Sequence, residues 1–216
     1  MTEVFSNQLI SFAAGILIAT ALLDLLPEAV EIANGANVFL PVLWGFIGFF
    51  LAERYIRLFH FHHGHGEKPS TLLVLVGDGI HNFVDGVTIT TAFLTNIPLG
   101  ITTSLAVAAH EIPQEIGDMG GLLANGLPKT KALFYNFLSA IVALCGAILA
   151  FYFAHFVKQY LFFFLSFAAG NFIYISASDL IPQIHENSFG LSRYSQMLIF
   201  LLGILAVLIF TKIFEG

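Results

Sequence analysis

The sequence is short of charged residues and of cysteine. Of its 216 residues, only 8 are basic and 14 are acidic, so charged residues make up 10% of the chain while hydrophobic residues make up 57%. A soluble domain carries roughly 25% charged residues, so this chain has too few charges to cover a water-exposed surface. The deficit excludes the soluble globular, disordered and nucleic-acid-binding classes. What remains is an integral membrane protein whose surface faces a lipid bilayer.

Further absences narrow the possibilities. The single cysteine, Cys145, excludes a disulfide framework and a thiolate metal cluster. The sequence contains no GxxxxGK[ST] phosphate-binding loop, which argues against ATP hydrolysis by this chain. It also contains no Asn-x-Ser/Thr glycosylation acceptor. Together with the compact loops, this lack favours the plasma (inner) membrane of a prokaryote.

Seven apolar runs are long enough to span a membrane, since a spanning helix needs about 20 mostly apolar residues. They lie at 8–32, 38–59, 71–94, 98–124, 132–154, 161–184 and 195–214. These runs are apolar all round, unlike the alternating segments of a β-barrel. The sequence therefore predicts an all-α membrane protein. Residues 1–216 form a single transmembrane domain, a polytopic bundle of seven helices.

Basic residues are distributed unevenly between the two sides of this bundle. Two of them, Lys158 and Lys212, lie on one side, and six lie on the other: Arg54, Arg57, Lys68, Lys129, Lys131 and Arg193. Because cytoplasmic loops carry the excess of Lys and Arg, the N-terminus is predicted to be cytoplasmic. The same side receives a His-rich loop at 60–70, HFHHGHGEKPS. Such a tract fits either low-affinity metal binding or a polar loop without that role.

An internal repeat relates the first and sixth runs. Residues 11–28 and 166–183 are identical at nine of 18 aligned positions, and both contain FAAG and a later Asp-Leu-x-Pro. The predicted topology makes the two copies run in opposite directions, which is the inverted repeat found in many secondary transporters. The repeated acids are Asp24, expected toward the outer mouth, and Asp179, expected toward the inner one.

The third run carries a polar face, written GDGIHNFVDG. His81 and Asp85 are four residues apart and share one side of the helix, and Asp78 lies three residues before His81 on that side. Asn82 lies one step round the helix.

The fourth run carries a second polar face, written HEIPQEIGD. His110, Gln114 and Asp118 form one stripe at helical spacing, with Glu111 and Glu115 beside it. The midpoints of the two runs fall near residues 82 and 111, so His81 and His110 are both expected close to the bilayer centre.

The predicted spans contain acidic side chains, and the third and fourth spans contain no Lys or Arg that could pair with them. Seven acids are counted across all the spans: Asp24, Asp78, Asp85, Glu111, Glu115, Asp118 and Asp179. An ionisable residue at the membrane centre costs at least about 2.5 kcal/mol, and a divalent cation would offset that cost. Imidazole with carboxylate oxygen suits zinc, Fe(II) or Mn(II) better than magnesium.

The expected metal ligands are His81, Asp85 and His110, completed by Gln114 or by Glu111 and Glu115. Two alternatives stay open for the neighbouring residues. Asn82 and Gln114 also fit hydrogen bonding between helices. The acids Asp78, Asp118 and Asp179 fit either ligands along a metal pathway or protonated, hydrogen-bonded acids.

The motifs HNFVDG and HEIPQEIGD resemble the paired signature helices of the ZIP (Zrt-/Irt-like protein) family of metal transporters. The His-rich loop before them and the FAAG…DLLP pattern of the first run also fit that family. The resemblance implies import of a divalent transition metal into the cytoplasm as the transported substrate, zinc first, with iron, manganese and cadmium left open. The positions that match the family's metal-binding positions are His81, Asn82, Asp85, His110, Glu111 and Gln114 or Glu115.

The sequence departs from the family pattern in two ways. Members usually have eight spans, so the resemblance implies that this chain begins at the family's second span. Gln114 stands where the family usually has His or Glu, and the run at 132–154 carries no carboxylate. One strong metal site is therefore expected rather than two. Whether the chain forms a homodimer is left open.

Two other functions compete with transport. An intramembrane zinc-dependent lipid hydrolase, similar to the seven-span ceramidase-like enzymes, would need three firm ligands, an open water position and a base such as Glu111 beside His110. HEIPQE does not match HExxH, so we expect no enzyme. A transport-inactive metal-binding remnant is the other alternative.

Overall fold

A computed structural model describes residues 3–61, 71–124, 126–186 and 191–214. The described residues are helical almost throughout and include no strand. Ten α-helices lie within them: α1 Glu3–Ala19, α2 Leu26–Ile32, α3 Phe39–Phe61, α4 Thr71–Thr95, α5 Ile97–Ala124, α6 Lys129–Tyr152, α7 Ala154–Gln159, α8 Leu161–Tyr174, α9 Ile181–Glu186 and α10 Leu191–Phe214. Of the predicted cytoplasmic loop at 60–70, residues 62–70 lie outside the described part of the chain.

The prediction of an all-α membrane protein is confirmed. Within the described part of the chain, four helical stretches are long and apolar enough to cross a membrane: Asn7–Ile32, Lys129–Tyr152, Leu161–Ser178 and Arg193–Ile213. The other three predicted runs coincide with α3, α4 and α5, which are 23, 25 and 28 residues long. Since 20 helical residues cover about 30 Å, these three helices also have the length of a bilayer core.

The sequence repeat is also a structural repeat. A π-helical segment, Thr20–Leu25, joins α1 to α2, and a second one, Ile175–Leu180, joins α8 to α9. The two segments are offset along the chain by the same number of residues as the two sequence copies. The repeated acids Asp24 and Asp179 each lie in the same place within their segment. π-helical turns are rare and often mark functional positions. Their occurrence at the same place in both copies is therefore a feature that the two copies of the repeat share.

The helices associate in closely packed pairs. The first helices of the two repeats are α1 and α8. α1 packs along α10, α8 packs along α3, and α4 packs along α6. Small residues let helix backbones approach closely in lipid. A β-carbon added at any of six glycines would overlap a backbone carbonyl of the partner helix: Gly15 and Gly203 between α1 and α10, Gly45 and Gly170 between α3 and α8, Gly86 and Gly146 between α4 and α6.

The polar helices α4 and α5 lie next to each other within this arrangement. α4 contacts α5 on one side and α6 on another, and α5 packs against α1. His81 and Asp85 of α4 therefore meet Glu111 of α5 where these two helices contact each other.

Candidate metal site

The polar side chains of α4 point into the protein. Asp78, His81, Asn82 and Asp85 are all buried, and Asp85 is 2% exposed. Helical spacing places His81 and Asp85 one turn apart on the face that meets α5. The sequence of α4 contains no Lys or Arg, and neither does that of α5. Neither helix therefore supplies a Lys or Arg side chain that could balance the charge of the buried carboxylates.

Three side chains from the two helices converge on one point. His81 Nε2 lies 3.2 Å from Glu111 Oε1 of α5 and 3.7 Å from Asp85 Oδ2 of α4. One nitrogen and two carboxylate oxygens lie within 4.8 Å of one another. Among the described residues this is the group of His, Cys, Asp and Glu side chains that is spaced to hold a metal ion.

The spacing agrees with the geometry of a tetrahedral ion. Zinc binds histidine nitrogen and carboxylate oxygen at about 2.0–2.2 Å, and tetrahedral ligands at that radius lie roughly 3.4 Å apart. The two distances from His81 Nε2 fall on either side of that value. The two carboxylate oxygens lie within 4.8 Å of each other. The group therefore has the spacing of three candidate ligands to one metal ion.

Asp78 and Asn82 form a contact of their own beside this triad. The Asn82 amide donates hydrogen bonds to Asp78 Oδ1 at 3.0 Å and to the Asp78 backbone carbonyl at 3.2 Å. The sequence predicts that Asp78 shares the side of the helix that carries His81, and a hydrogen bond from the residue four positions on is compatible with that placement. The bond ties the Asp78 and Asn82 side chains together.

The remaining predicted residues of α5 are only partly described. Glu115 is half-buried, and its backbone carbonyl accepts a hydrogen bond from Asn136 of α6 at 3.4 Å. The predicted ligands His110 and Gln114 lie on α5, but their side chains are outside the described residues. The same holds for Asp118 and for Asp179 of the second π-helical segment. Their expected roles stay predictions.

The repeated acid Asp24 is buried between α1 and α10. Its Oδ1 accepts a hydrogen bond from the Thr211 hydroxyl at 2.6 Å, and that hydroxyl also lies 2.9 Å from the Val207 carbonyl. Asp24 therefore links the first π-helical segment to α10. The sequence predicted an acid near the outer mouth but contained no sign of the threonine partner.

Sequence reasoning missed a second polar pair. Glu53 lies within α3 and within the predicted run 38–59, yet it was not counted among the acids of the spans. In the structure, the Tyr174 hydroxyl of α8 donates a hydrogen bond to Glu53 Oε2. The available signal was the position of an ionisable residue inside an apolar run, which is a functional indication in membrane proteins.

The comparison with known proteins agrees with this geometry. Residues 62–211 match the family described as ZIP zinc transporter, and this range contains α4, α5 and all three converging side chains. The chain belongs to the ZIP family. This confirms the resemblance read from HNFVDG and HEIPQEIGD. ZIP proteins are transporters and not enzymes, so membership speaks against the hydrolase alternative.

Several relatives are named as zinc transporters. The ZIP chain is 35% identical to "Zinc transporter foi" of Drosophila melanogaster over 157 residues, which is 69% of this chain and 22% of that protein. It is 33% identical to human "Zinc transporter ZIP6" over 156 residues, covering 69% of this chain and 21% of that protein. A fission yeast relative, "Uncharacterized zinc transporter P8A3.03", is 36% identical over 62% of this chain and 32% of its own length.

The matched region is thus a fraction of each relative, about a fifth to a third of its length. All three relatives are eukaryotic. The membrane location predicted from the sequence is supported as far as an integral membrane protein. The narrower prediction of a prokaryotic plasma membrane receives no support from them.

Proposed function

We propose that this chain transports divalent transition-metal ions, with zinc as the main substrate, across a membrane and into the cytoplasm. The metal is bound near the middle of the membrane by His81, Asp85 and Glu111. His110, Asn82, Gln114 and Glu115 lie on the same two helices and are the further candidate ligands.

The observation that carries this proposal is the convergence of three side chains from two helices. A nitrogen and two carboxylate oxygens within 4.8 Å of one another form an unusual group for a membrane interior. Burying such acids costs free energy, and a doubly charged cation would balance the two carboxylates. Family membership and the names of the relatives agree with zinc as that cation.

The inward direction of transport is the one that the family resemblance implies. The excess of Lys and Arg supports a cytoplasmic N-terminus and a cytoplasmic loop at 60–70. Asp24 would then collect metal near the outer mouth, and Asp179 with the His-rich loop would receive it inside. Asp78 and Asp118 would serve as intermediate carboxylates. Without a nucleotide-binding motif, the metal gradient supplies the driving force.

The test is zinc uptake into proteoliposomes loaded with a fluorescent zinc indicator. The full chain should raise the internal signal when zinc is added outside, and His81→Ala should reduce the initial rate to that of empty vesicles. His155→Ala is the matched control, because His155 lies exposed on α7 beside Gln159. It should transport like the wild type.

Two results would overturn the proposal. A wild-type chain that binds zinc in detergent but moves no zinc, iron, manganese or cadmium would be a metal-binding remnant. Turnover of a lipid amide in the same vesicles, abolished by His81→Ala, would instead establish the hydrolase.

A further inference from the structure

Four aromatic rings form a cluster between α3 and α8, beside the candidate metal site. Phe46, Phe49 and Phe50 of α3 surround the ring of Tyr174 of α8, with ring centroids 5.1, 6.4 and 6.4 Å from it. Tyr174 is buried. The cluster therefore fills the space between two helices that contribute no ligand to the converging triad.

One ring of this cluster reaches the triad itself. Phe49 lies against the imidazole of His81, with centroids 5.1 Å apart and ring planes at 73°, an edge-to-face arrangement. Such aromatic contacts are directional and contribute beyond simple burial. Phe49 is thus the described residue of α3 whose ring meets a candidate ligand.

The orientation of the His81 ring matters because the imidazole binds a metal through one nitrogen. Rotation about the bond to the ring is broad for histidine, so neighbouring groups have to hold the ring in place. In metal sites, mutation of the groups that orient the ligands typically lowers metal affinity about 10-fold to 100-fold. Here the Phe49 ring occupies one side of the imidazole while Nε2 faces Asp85 and Glu111.

A hydrogen bond holds the cluster in position from behind. The Tyr174 hydroxyl donates to Glu53 Oε2, which joins α8 to α3. Glu53 is four residues after Phe49 and lies on the same side of α3. The bond therefore ties the Tyr174 ring, which contacts the Phe49 ring, to the helix that carries Phe49.

We propose that Phe49 is a positioning residue that sets the ring plane of His81 for metal binding, and that the Tyr174–Glu53 hydrogen bond keeps Phe49 in place. This inference rests on the proposed function, because it assumes that His81 is a ligand. Its consequence is that helices α3 and α8 control the affinity of a site built by α4 and α5.

The first test is metal binding by the purified full-length chain in detergent. Phe49→Ala should weaken zinc binding about 10-fold to 100-fold, the range found for residues that support metal ligands. Phe49→Leu keeps an apolar side chain of similar size and should weaken binding in the same direction, even if the alanine variant folds poorly. Phe39→Ala is the matched control, since Phe39 also lies on α3 but is 72% exposed and stands outside this cluster.

A spectroscopic reading separates positioning from general damage. Co²⁺ added in place of zinc absorbs visible light more strongly in a tetrahedral site than in an octahedral one. The wild type and Phe39→Ala should give the same strong Co²⁺ band, and both Phe49 variants should weaken it. An unchanged band and unchanged zinc affinity in Phe49→Leu would overturn the proposal, and so would an equal loss in Phe39→Ala.

The hydrogen bond is tested by a pair of variants. Tyr174→Phe keeps the ring and removes the hydroxyl, while Glu53→Ala removes the acceptor. Each should weaken zinc binding several-fold, and the double variant should be no weaker than either single one, because both remove the same interaction. Glu53→Gln keeps an acceptor oxygen and should restore binding. Wild-type affinity in Tyr174→Phe would remove the hydrogen bond from the proposal.

These measurements distinguish the two proposals from each other. A wild type that binds zinc but does not transport it contradicts the proposed function and leaves the role of Phe49 intact. A wild type that transports zinc, with Phe49→Leu equal to it in affinity and Co²⁺ spectrum, contradicts only the role of Phe49.

Discussion

Replacing Glu111 by glutamine tests whether α5 contributes to the metal site. Glu111 Oε1 lies 3.2 Å from His81 Nε2. Glutamine has nearly the same shape and keeps an oxygen at that place, but it carries no charge. The two carboxylates of the triad balance a divalent cation fully, whereas Glu111→Gln leaves one negative charge to balance two positive ones.

The size of the effect follows from the loss of that charge. An interaction of a buried polar group with a charged partner contributes about 1.5–3 kcal/mol net. Every 1.4 kcal/mol changes an equilibrium constant roughly tenfold. Zinc affinity should therefore fall about 10-fold to 100-fold in Glu111→Gln, and the initial rate of uptake at low zinc should fall with it.

The assay is competition between the purified chain and a fluorescent zinc indicator, followed by uptake into proteoliposomes. Glu31→Gln makes the same chemical change at an exposed position of α2 and should keep wild-type affinity. If Glu111→Gln binds zinc like the wild type while His81→Ala does not, Glu111 is no ligand and the reasoning from the 3.2 Å contact is refuted.

Three further outcomes are expected from the packing and from ligand binding. Gly86→Ala should lower the free energy of unfolding in detergent by about 1–3 kcal/mol, because its β-carbon would overlap the Ala143 carbonyl. Gly79→Ala on the same helix places its β-carbon 3.8 Å from Val142 Cγ2, an ordinary van der Waals contact, and should be tolerated. Thr211→Val should lower the free energy of unfolding by about 0.6–1.7 kcal/mol, because it removes the hydrogen bond to Asp24. An unchanged melting temperature would contradict this prediction. Zinc at about 100 times its dissociation constant should stabilise the folded chain by about 2.7 kcal/mol. The melting temperature should therefore rise, a chelator should reverse the rise, and His81→Ala should not show it.

Much of the fold could be predicted from the order of residues alone. The shortage of charge required a membrane protein, and the length of the apolar runs located its helices. The repeat around Asp24 and Asp179 was visible as sequence identity, and the structure shows the same repeat as two matched π-helical segments. Helical spacing was enough to place His81 and Asp85 on one face of α4. These features depend on composition and local periodicity, which do not require knowledge of neighbouring helices.

The identity of the side chain facing His81 could not be derived in that way. Spacing left His110, Gln114, Glu111 and Glu115 as candidates on the fourth run. The structure brings Glu111 to His81 Nε2, because the rotation of α5 against α4 decides which face of the helix meets its neighbour. The hydrogen bond between Asn82 and Asp78 also depends on side-chain directions that the sequence leaves open.

The composition and periodicity of the sequence thus determined the class of the protein, its repeat and the two polar helices. Only the tertiary structure decided the helix pairs, the edge-to-face contact of Phe49 with His81, and the bond from Tyr174 to Glu53. The physical reason is that lipid is as apolar as the helix surfaces it surrounds. Hydrophobic patterning therefore cannot select which faces meet, and the choice is made by close packing and hydrogen bonds between helices distant in sequence.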